Sequence, residues 1–429
     1  MNKNLDWIDY VFDEDNIEKA KKQVYANKGS AGIDGVTVFD LDNYIYEHID
    51  EIKGKIYQRK YKPTPVKRVE IPKENGKKRQ LGIPTVIDRV IQQAIVQRLS
   101  PVFERDFNQN SFGFRPGRCC EQAILKALEL FNDGYDWVVD IDLERFFDTV
   151  NHDKLTLLIS KKIDDGNLIS LIRAYLDSGV MVNGKYEETI VGTPQGGNLS
   201  PLLSNIMLNE LDKELEARSL NFVRYADDCL ILVGSKKAAE RVMKSIVDFI
   251  ERKLKLKVNA EKSKIARPTD IKYLGFGFFR NKEEKYEPKP HIKSIQKLER
   301  KLKTLTCRSW SVSLDYRIKK INEVVRGWVN YFKICNMYSM MNNISSHLRR
   351  RIRCVIWKQW KKTEHRRKCL IKLGISSQTA TKYSCSGNCY WKMSRTPVIH
   401  KAITNERLVR RGLICPIDQY EKVHILPIV

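Results

Sequence analysis

One stretch predicts the fold of this chain: FVRYADDCLILV at residues Phe222–Val233. β-branched and aromatic residues on both sides predict two strands, and the Ala-Asp-Asp step between them predicts a tight turn. Such a hairpin lifts Asp227 and Asp228 out of an apolar sheet. Adjacent carboxylates repel each other unless a cation lies between them, and clustered oxygen ligands suit Mg²⁺. A solvated Asp-Asp turn without a metal is the alternative at this point.

A second stretch, WVVDIDL at residues Trp137–Leu143, predicts another strand with two aspartates on one face. The apolar side chains alternate, so Asp140 and Asp142 share the face that Val138 occupies. A strand of this kind can supply a third metal ligand. Asp140 is a candidate for a residue that supports the ligands without binding the metal itself. Asn151 then predicts a helix N-cap, and capping or solvation suits Asp148 and Asp153 better than catalysis.

Composition points to a polyanionic partner. The 429 residues contain 77 Lys and Arg against 52 Asp and Glu, a formal net charge of +25. Such an excess indicates nucleic acid, with an anionic membrane surface as the other possibility. No apolar run reaches transmembrane length, and the acidic N-terminus argues against a secretory or transit peptide. The ten cysteines form no C-x-x-C pair, which favours free thiols in a reducing cytosol over zinc at Cys385 and Cys389.

Periodicity and turn residues place the other elements. Helices are predicted at 16–28, 41–58, 86–105, 120–131 and 236–254, and strands at Leu256–Val258 and Tyr273–Phe279. A basic hairpin is predicted over 66–84, with the cations between Lys73 and Arg79 at its tip. This tip either contacts phosphate or is a solvated loop. A glycine-rich loop, VGTPQGGNLSP at Val191–Pro201, opens a helix whose start can face phosphate.

The last third of the chain carries nearly all of the net charge. Residues 291–415 contain 29 Lys and Arg against 5 Asp and Glu. Three amphipathic basic helices are predicted, beginning near Ile292, Leu314 and Leu348. The third places four arginines beside its apolar face: Arg349, Arg350, Arg351 and Arg353.

Taken in order, these motifs resemble the group II intron reverse transcriptases. The resemblance includes NKGSAGIDG at 27–35, SFGFRP at 111–116, GTPQGG at 192–197, YADD at 225–228, YLGF at 273–276 and RGWVNYF at 326–332. It covers nearly the whole chain, and the short length resembles the compact IIC-type members. The Cys and His pairs of the family's endonuclease are not found after the basic C-terminal segment, so we expect no endonuclease domain.

The resemblance implies roles for individual residues. Asp142, Asp227 and Asp228 match the three catalytic carboxylates, which hold two Mg²⁺ ions with Mn²⁺ as a possible substitute. Phe147 matches the residue that excludes a 2′-hydroxyl, and Gly275 matches the strand that grips the primer. The remaining matches are the nucleotide contacts Lys73, Arg79, Gln195 and Lys262, and an RNA-binding surface at Arg349, Arg350, Arg351 and Arg353.

The implied fold is α/β (α+β): a right-hand polymerase with fingers and palm, followed by an all-α basic thumb or maturase region. We expect an N-terminal extension at 1–60, fingers and palm at 61–285, thumb at 286–365 and a DNA-binding region at 366–429. The implied activity is RNA-directed DNA synthesis together with splicing assistance and intron mobility. Expected partners are group II intron RNA, an RNA template with a DNA primer, deoxynucleoside triphosphates and target DNA, with no membrane. A cytoplasmic, nucleoid- or RNA-associated location in a bacterium is expected.

Two alternatives stay open from the sequence. One is a splicing-only RNA-binding maturase with an inactive polymerase, against which the complete set of aspartates argues. The other is the reverse transcriptase of a retron or a CRISPR-linked element, against which the maturase-like helices argue.

Overall fold

A computed structural model describes residues 6–72, 76, 78–144, 146–182, 185–187, 196–386 and 389–424. The chain forms two compact units, Met1–Arg267 and Pro268–Val429. The finer division of the chain into four segments stays a prediction.

The first unit combines helices with two sheets. Its described helices are α1 (Trp7–Val11), α2 (Glu14–Asn27), α3 (Leu41–Tyr57), α4 (Val86–Glu104), α5 (Cys120–Asn132), α6 (Phe146–Thr149), α7 (His152–Ser160), α8 (Gly166–Leu176), α9 (Ser200–Ala217) and α10 (Lys236–Phe249), which continues as a π-helical turn (Ile250–Leu254). Its described strands are β1 (Val66–Pro72), β2 (Lys78–Ile83), β3 (Trp137–Ile141), β4 (Val180–Val182), β5 (Lys185–Glu187), β6 (Asn221–Tyr225), β7 (Asp228–Val233) and β8 (Lys264–Ala266).

The eight strands form two four-stranded sheets. One has the order β2-β1-β4-β5 and contains the predicted basic hairpin as the antiparallel pair β1 and β2. The other has the order β6-β7-β3-β8, with every neighbouring pair antiparallel. We call this second sheet, β6-β7-β3-β8, the palm sheet. The hairpin predicted from Phe222–Val233 is therefore confirmed, and it pairs through β7 with the predicted strand at Trp137.

Apolar side chains of the palm sheet join the main hydrophobic core. Val139, Ile141 and Leu143 all belong to this core, as the alternation in the sequence predicts. Polar side chains mark several helix starts: Thr85 accepts from the backbone of Asp88, and Asn151 accepts from Lys154. These caps satisfy N–H groups that have no partner within their helix.

One predicted strand of the first unit is wrong. Residues Leu256–Val258 form no strand: Val258 makes one isolated antiparallel bridge to Leu143, and the strands that pair with β3 are β7 and β8. The segment bonds to the backbone that follows β3: the Glu144 nitrogen donates to the Lys257 oxygen (2.8 Å), and the Asn259 nitrogen donates to the Asp142 oxygen (2.9 Å). It therefore holds the main chain around Asp142 through single backbone contacts and not through a strand.

The second unit begins with a short helical turn and a hairpin and is otherwise helical. The hairpin pairs β9 (Phe276–Arg280) with β10 (Tyr286–Pro290), so the segment predicted as helical from residue 286 begins with a strand. The described helices that follow are α11 (Ile292–Leu305), α12 (Leu314–Tyr331), α13 (Tyr338–Gln359), α14 (Thr363–Lys372), α15 (Ser377–Ser384), α16 (Tyr390–Met393), α17 (Pro397–Ala402), α18 (Asn405–Arg410) and α19 (Pro416–Val423).

Candidate active site

The turn between β6 and β7 carries Asp227 and Asp228 at the edge of the palm sheet. Tyr225 pairs with Asp228, so the turn consists of Ala226 and Asp227. Residues 229–233 of β7 are all buried, whereas Asp228 is exposed. The apolar strand therefore fixes the hairpin in the core and leaves its two carboxylates at the surface.

Asp142 lies at the same edge because of the strand register. Ile141 of β3 pairs with Cys229 of β7. Asp142 directly follows Ile141, and Asp228 directly precedes Cys229, so the two aspartates lie at the same end of neighbouring strands. Paired strands lie about 5 Å apart. The backbone of Asp142 is held by its N–H, which donates to the Ser263 hydroxyl oxygen (3.1 Å). The structure thus brings together the three predicted carboxylates, whereas their metal-binding role stays a prediction.

The Lys262 amine forms an ion pair with the Asp142 carboxylate. Its Nζ lies 3.0 Å from Oδ1 and 3.1 Å from Oδ2. The lysine is largely exposed, and Asp142 is about one third exposed. The lysine predicted to contact the nucleotide therefore lies at the site, where its amine is paired with Asp142, one of the three predicted catalytic residues.

The acidic side chains at this edge influence each other's protonation. Partial desolvation of the carboxyl group by neighbouring protein atoms, followed by the negative charges of Asp227, Asp140 and Asp142, raises the pKa of Asp228 to about 6, and the Lys262 cation opposes this rise. Burial also raises the pKa of Asp140 to about 6, against the opposing effect of Lys264. The charge of Asp140 thus acts on the Asp228 carboxyl group, and its predicted place behind the metal ligands stays a prediction.

The chemistry of these side chains fits a divalent cation. Carboxylate oxygens are the ligands that Mg²⁺ prefers, and a cation relieves the repulsion that adds to the desolvation of Asp228 in raising its pKa. Within the described residues, however, no three His, Cys, Asp or Glu side chains are grouped closely enough to hold an ion as they stand. The Asp142 carboxylate is instead paired with Lys262. Metal binding would therefore require a rearrangement of side chains at the edge of the sheet.

The predicted nucleotide contacts are described in part. Phe147 lies in α6, half-buried, with its ring 5.2 Å from that of Phe146 in an edge-to-face arrangement. Lys73 and Gln195 lie outside the described residues. Arg79 lies in β2 opposite Ile71, and its side chain is outside the described part of the structure.

Gly275, the predicted primer grip, lies in the second unit, in a turn and not in a strand. Tyr273 and Phe276 bond to each other through both backbone groups, and Gly275 between them has φ +85°. The turn forms because Leu274 and Gly275 both adopt left-handed conformations. Strand β9 therefore begins only at Phe276 and does not include Tyr273. Its contact with a primer stays a prediction.

The predicted RNA-binding arginines of α13 have partners inside the second unit. The prediction is wrong for Arg353, which is 4% exposed and donates to the Ile403 carbonyl oxygen (2.9 Å) and to Asn405 Oδ1 (2.9 Å). A guanidinium held in this way cannot face RNA. Arg351 bonds to Thr306 Oγ1 (2.5 Å), and Arg350 lies 3.4 Å over the Trp391 ring. Both are half-buried, as is Arg349, and an RNA contact from these three stays a prediction.

Sequence reasoning missed the side chain that lies under the Asp227 turn. Arg224 is the one charged residue of strand β6, and it is completely buried. A cation placed at an inward-facing position of a strand is a signal that can be found in sequence, because burial of such a charge requires a partner.

In the described part of the chain, no helix is long and apolar enough to cross a membrane.

Comparisons with known proteins identify the family. A family model described as "Reverse transcriptase (RNA-dependent DNA polymerase)" matches residues 71–278, and one described as "Group II intron, maturase-specific domain" matches residues 295–374. Protein YkfC of Escherichia coli K12 is 31% identical over 345 residues, covering 70% of this chain and 90% of YkfC. The group II intron-encoded protein LtrA of Lactococcus lactis is 32% identical over 333 residues, covering 62% of this chain and 55% of LtrA.

Among solved structures, the chain is similar to a partial Cas6-RT-Cas1–Cas2 complex. The TM-score is 0.38 at 23% identity, covering 58% of this chain and 43% of that one.

The chain belongs to the group II intron reverse transcriptases and maturases. It has the reverse transcriptase fold and is an RNA-directed DNA polymerase of the metal-dependent kind, with a maturase domain after the polymerase. The maturase-specific match favours this family over the retron and CRISPR-linked alternatives.

Proposed function

We propose that the chain copies RNA into DNA at Asp142, Asp227 and Asp228, using deoxynucleoside triphosphates and two Mg²⁺ ions, for which Mn²⁺ can substitute. Bound there, the ions would lower the pKa of a primer 3′-hydroxyl and neutralise charge on the phosphates. The observation that carries this proposal is the pairing of Ile141 with Cys229, which brings carboxylates 85 residues apart to one edge of the palm sheet.

Other side chains of the chain would bind and select the nucleotide. Lys262 is exposed and flexible, so its amine can leave Asp142 for a phosphate oxygen when the carboxylate takes up a cation. The half-buried Phe147 follows Asp142 by five residues and is supported by the Phe146 ring. A ring held in this way would exclude a 2′-hydroxyl from the sugar. Lys73, Arg79 and Gln195 are proposed to contact the triphosphate, and Gly275 the primer.

The second unit is proposed to bind group II intron RNA and to assist its splicing, and to contact target DNA during intron mobility. The charge of residues 291–415, with 29 cations against 5 anions, supports a phosphate-binding surface. The match of residues 295–374 to the maturase-specific model supports the choice of RNA. The bacterial relatives support a cytoplasmic, nucleoid- or RNA-associated location in a bacterium.

The polymerase proposal is tested by primer extension on an RNA template with Asp142→Asn. This change removes one charge with little change of shape, and we expect no measurable cDNA. The matched control is Asp153→Asn, an exposed aspartate of the same unit that pairs with Arg173 and should extend normally. Extension by Asp142→Asn near the wild-type rate would contradict the proposal and would favour a splicing-only maturase.

A further inference from the structure

The turn that carries the proposed metal ligands contains an unusual backbone conformation. Ala226 has φ +57°, in the left-handed region, where a Cβ crowds the following carbonyl oxygen. Two-residue hairpin loops usually place Gly, Asn or Asp at such positions. Alanine lacks both the freedom of glycine and a polar side chain that could bond locally. Contacts from outside the turn must therefore hold Ala226 in place.

Arg224 makes such a contact from below the turn. Its Nη1 donates to the Ala226 carbonyl oxygen (2.9 Å) and to Asn205 Oδ1 (3.1 Å). Its Nε and Nη2 donate to both carboxylate oxygens of Asp212, at 2.7 and 2.5 Å. Arg224 and Asp212 are both completely buried. One guanidinium thus joins the turn to helix α9 through a paired charge.

A second segment lies against the turn at the Ala226 nitrogen. The loop before α5 passes so close that a Cβ built at Gly113 would lie 2.2 Å from the Ala226 nitrogen. The loop is bonded to the same strand, because the Phe112 nitrogen donates to the Arg224 oxygen (2.8 Å). Asn205 Nδ2 also donates to the Gly113 oxygen (2.9 Å). Asn205 therefore bonds both the loop and the guanidinium.

We propose that Arg224 is a positioning residue for polymerisation, which sets the place of Asp227 and Asp228 by holding the Ala226 carbonyl between α9 and the Gly113 loop. This inference rests on the proposed function, because it requires that the two aspartates act in catalysis. Only arginine has several N–H donors fixed in one plane. One edge of this plane can bind both oxygens of a carboxylate while a further nitrogen donates to two other acceptors. Lysine at this position keeps the charge beside Asp212 but cannot maintain all four bonds.

The test compares Arg224→Lys with wild type in single-nucleotide extension, together with binding of Mn²⁺ alone by electron paramagnetic resonance. Each rate is corrected for the folded fraction from thermal melting. A displacement of the carboxylates by about 1 Å should lower kcat roughly 100-fold, with KM for the nucleotide changed by less than about threefold. Mn²⁺ binding should weaken in parallel. The matched control is Arg98→Lys, since Arg98 also joins a carboxylate (Asp13, 2.8 Å) to a carbonyl (Tyr10, 2.9 Å).

A rescue experiment separates positioning from stability. Glycine accepts φ +57° without a Cβ penalty, so Ala226→Gly in the Arg224→Lys background should recover at least about tenfold in kcat. A purely structural role of Arg224 would give no recovery. If Arg224→Lys does not fold, Gly113→Ala displaces the turn at the Ala226 nitrogen and should also lower kcat roughly 100-fold.

Three results would overturn the inference: a folded Arg224→Lys variant with wild-type kcat, a loss that Ala226→Gly leaves unchanged, or, in the second design, a folded Gly113→Ala variant with wild-type kcat. Failure of the proposed function is distinguishable, because it would appear as normal extension by Asp142→Asn.

Discussion

Replacement of Asp228 by asparagine should stabilise the metal-free protein at neutral pH. The wild-type carboxylate is ionised there beside three other acidic side chains, and its raised pKa of about 6 records that its ionised form is disfavoured. Asparagine has nearly the same shape and no charge. The variant therefore removes the repulsion while keeping the packing of the β6–β7 hairpin.

The size and the pH range of the effect follow from the pKa. A rise from 3.8 to about 6 corresponds to about 3 kcal/mol for a wholly buried carboxyl group. Asp228 is exposed at the sheet edge, so solvent screening reduces this to about 1 kcal/mol. Because the folded-state pKa is the higher one, wild type loses stability as the pH rises from about 4 through 6. The advantage of the variant should be absent at pH 4 and complete above pH 6.

The assay is thermal melting of both proteins between pH 4 and 8 in the presence of EDTA. For a domain of this size we expect a gain of roughly 2–4 °C at pH 7. Mg²⁺ should raise the melting temperature of wild type more than that of the variant, since a ligand stabilises the state that binds it. Asp153→Asn is the control, for which we expect no gain in melting temperature. A melting temperature for Asp228→Asn equal to or below that of wild type at pH 7 would refute the repulsion argument.

Three further predictions concern the nucleotide, the helical unit and RNA. Phe147→Ala should reduce discrimination against ribonucleotides by roughly tenfold or more in single-nucleotide incorporation, and unchanged discrimination would exclude this ring as the selector. Arg353→Met should lower the free energy of unfolding by about 1–3 kcal/mol in denaturant titrations, because the buried Ile403 carbonyl oxygen loses its donor. Arg349→Met should change it by less than about 1 kcal/mol, and equal losses would contradict this assignment. Intron RNA affinity should fall at least about tenfold between 50 and 200 mM salt in filter binding, whereas a flat response would exclude phosphate contacts as its source.

Local patterns in the sequence predicted the palm sheet and its carboxylates. The alternation around Asp142 follows from the two-residue period of strands, and the apolar runs on both sides of Asp227 are typical of buried strands. Neither pattern requires knowledge of the rest of the fold. The convergence of the two segments depends on β3 pairing with β7. Alternation alone does not identify that partner, and the family resemblance supplied it.

The missed or wrong predictions arise where contacts come from distant segments. The arginines of α13 were predicted to face RNA because a single apolar face was assumed. Residues 352–357 are in fact all buried, since α16 and α19 also pack on this helix, and Arg353 is enclosed with them. Arg224 was not assigned a role because its partners Asp212 and Asn205 lie in the preceding helix, 12 and 19 residues away. Gly113 was not assigned one because it approaches Ala226 from the loop before α5, a segment distant in the chain from the palm hairpin. The strand predicted at Leu256 failed for the same reason, since its backbone bonds to the residues after β3.

The central claim is that Asp227 and Asp228 act in DNA synthesis while RNA binding uses other parts of the surface. The most direct measurement takes one preparation of the Asp227→Asn, Asp228→Asn double variant and assays it for cDNA synthesis and for intron splicing at matched salt. We predict no measurable cDNA, with RNA binding and splicing close to wild type, because the catalytic metals of splicing belong to the RNA. cDNA synthesis near the wild-type rate would contradict the catalytic assignment, and loss of splicing by the folded variant would contradict the separation of the two activities.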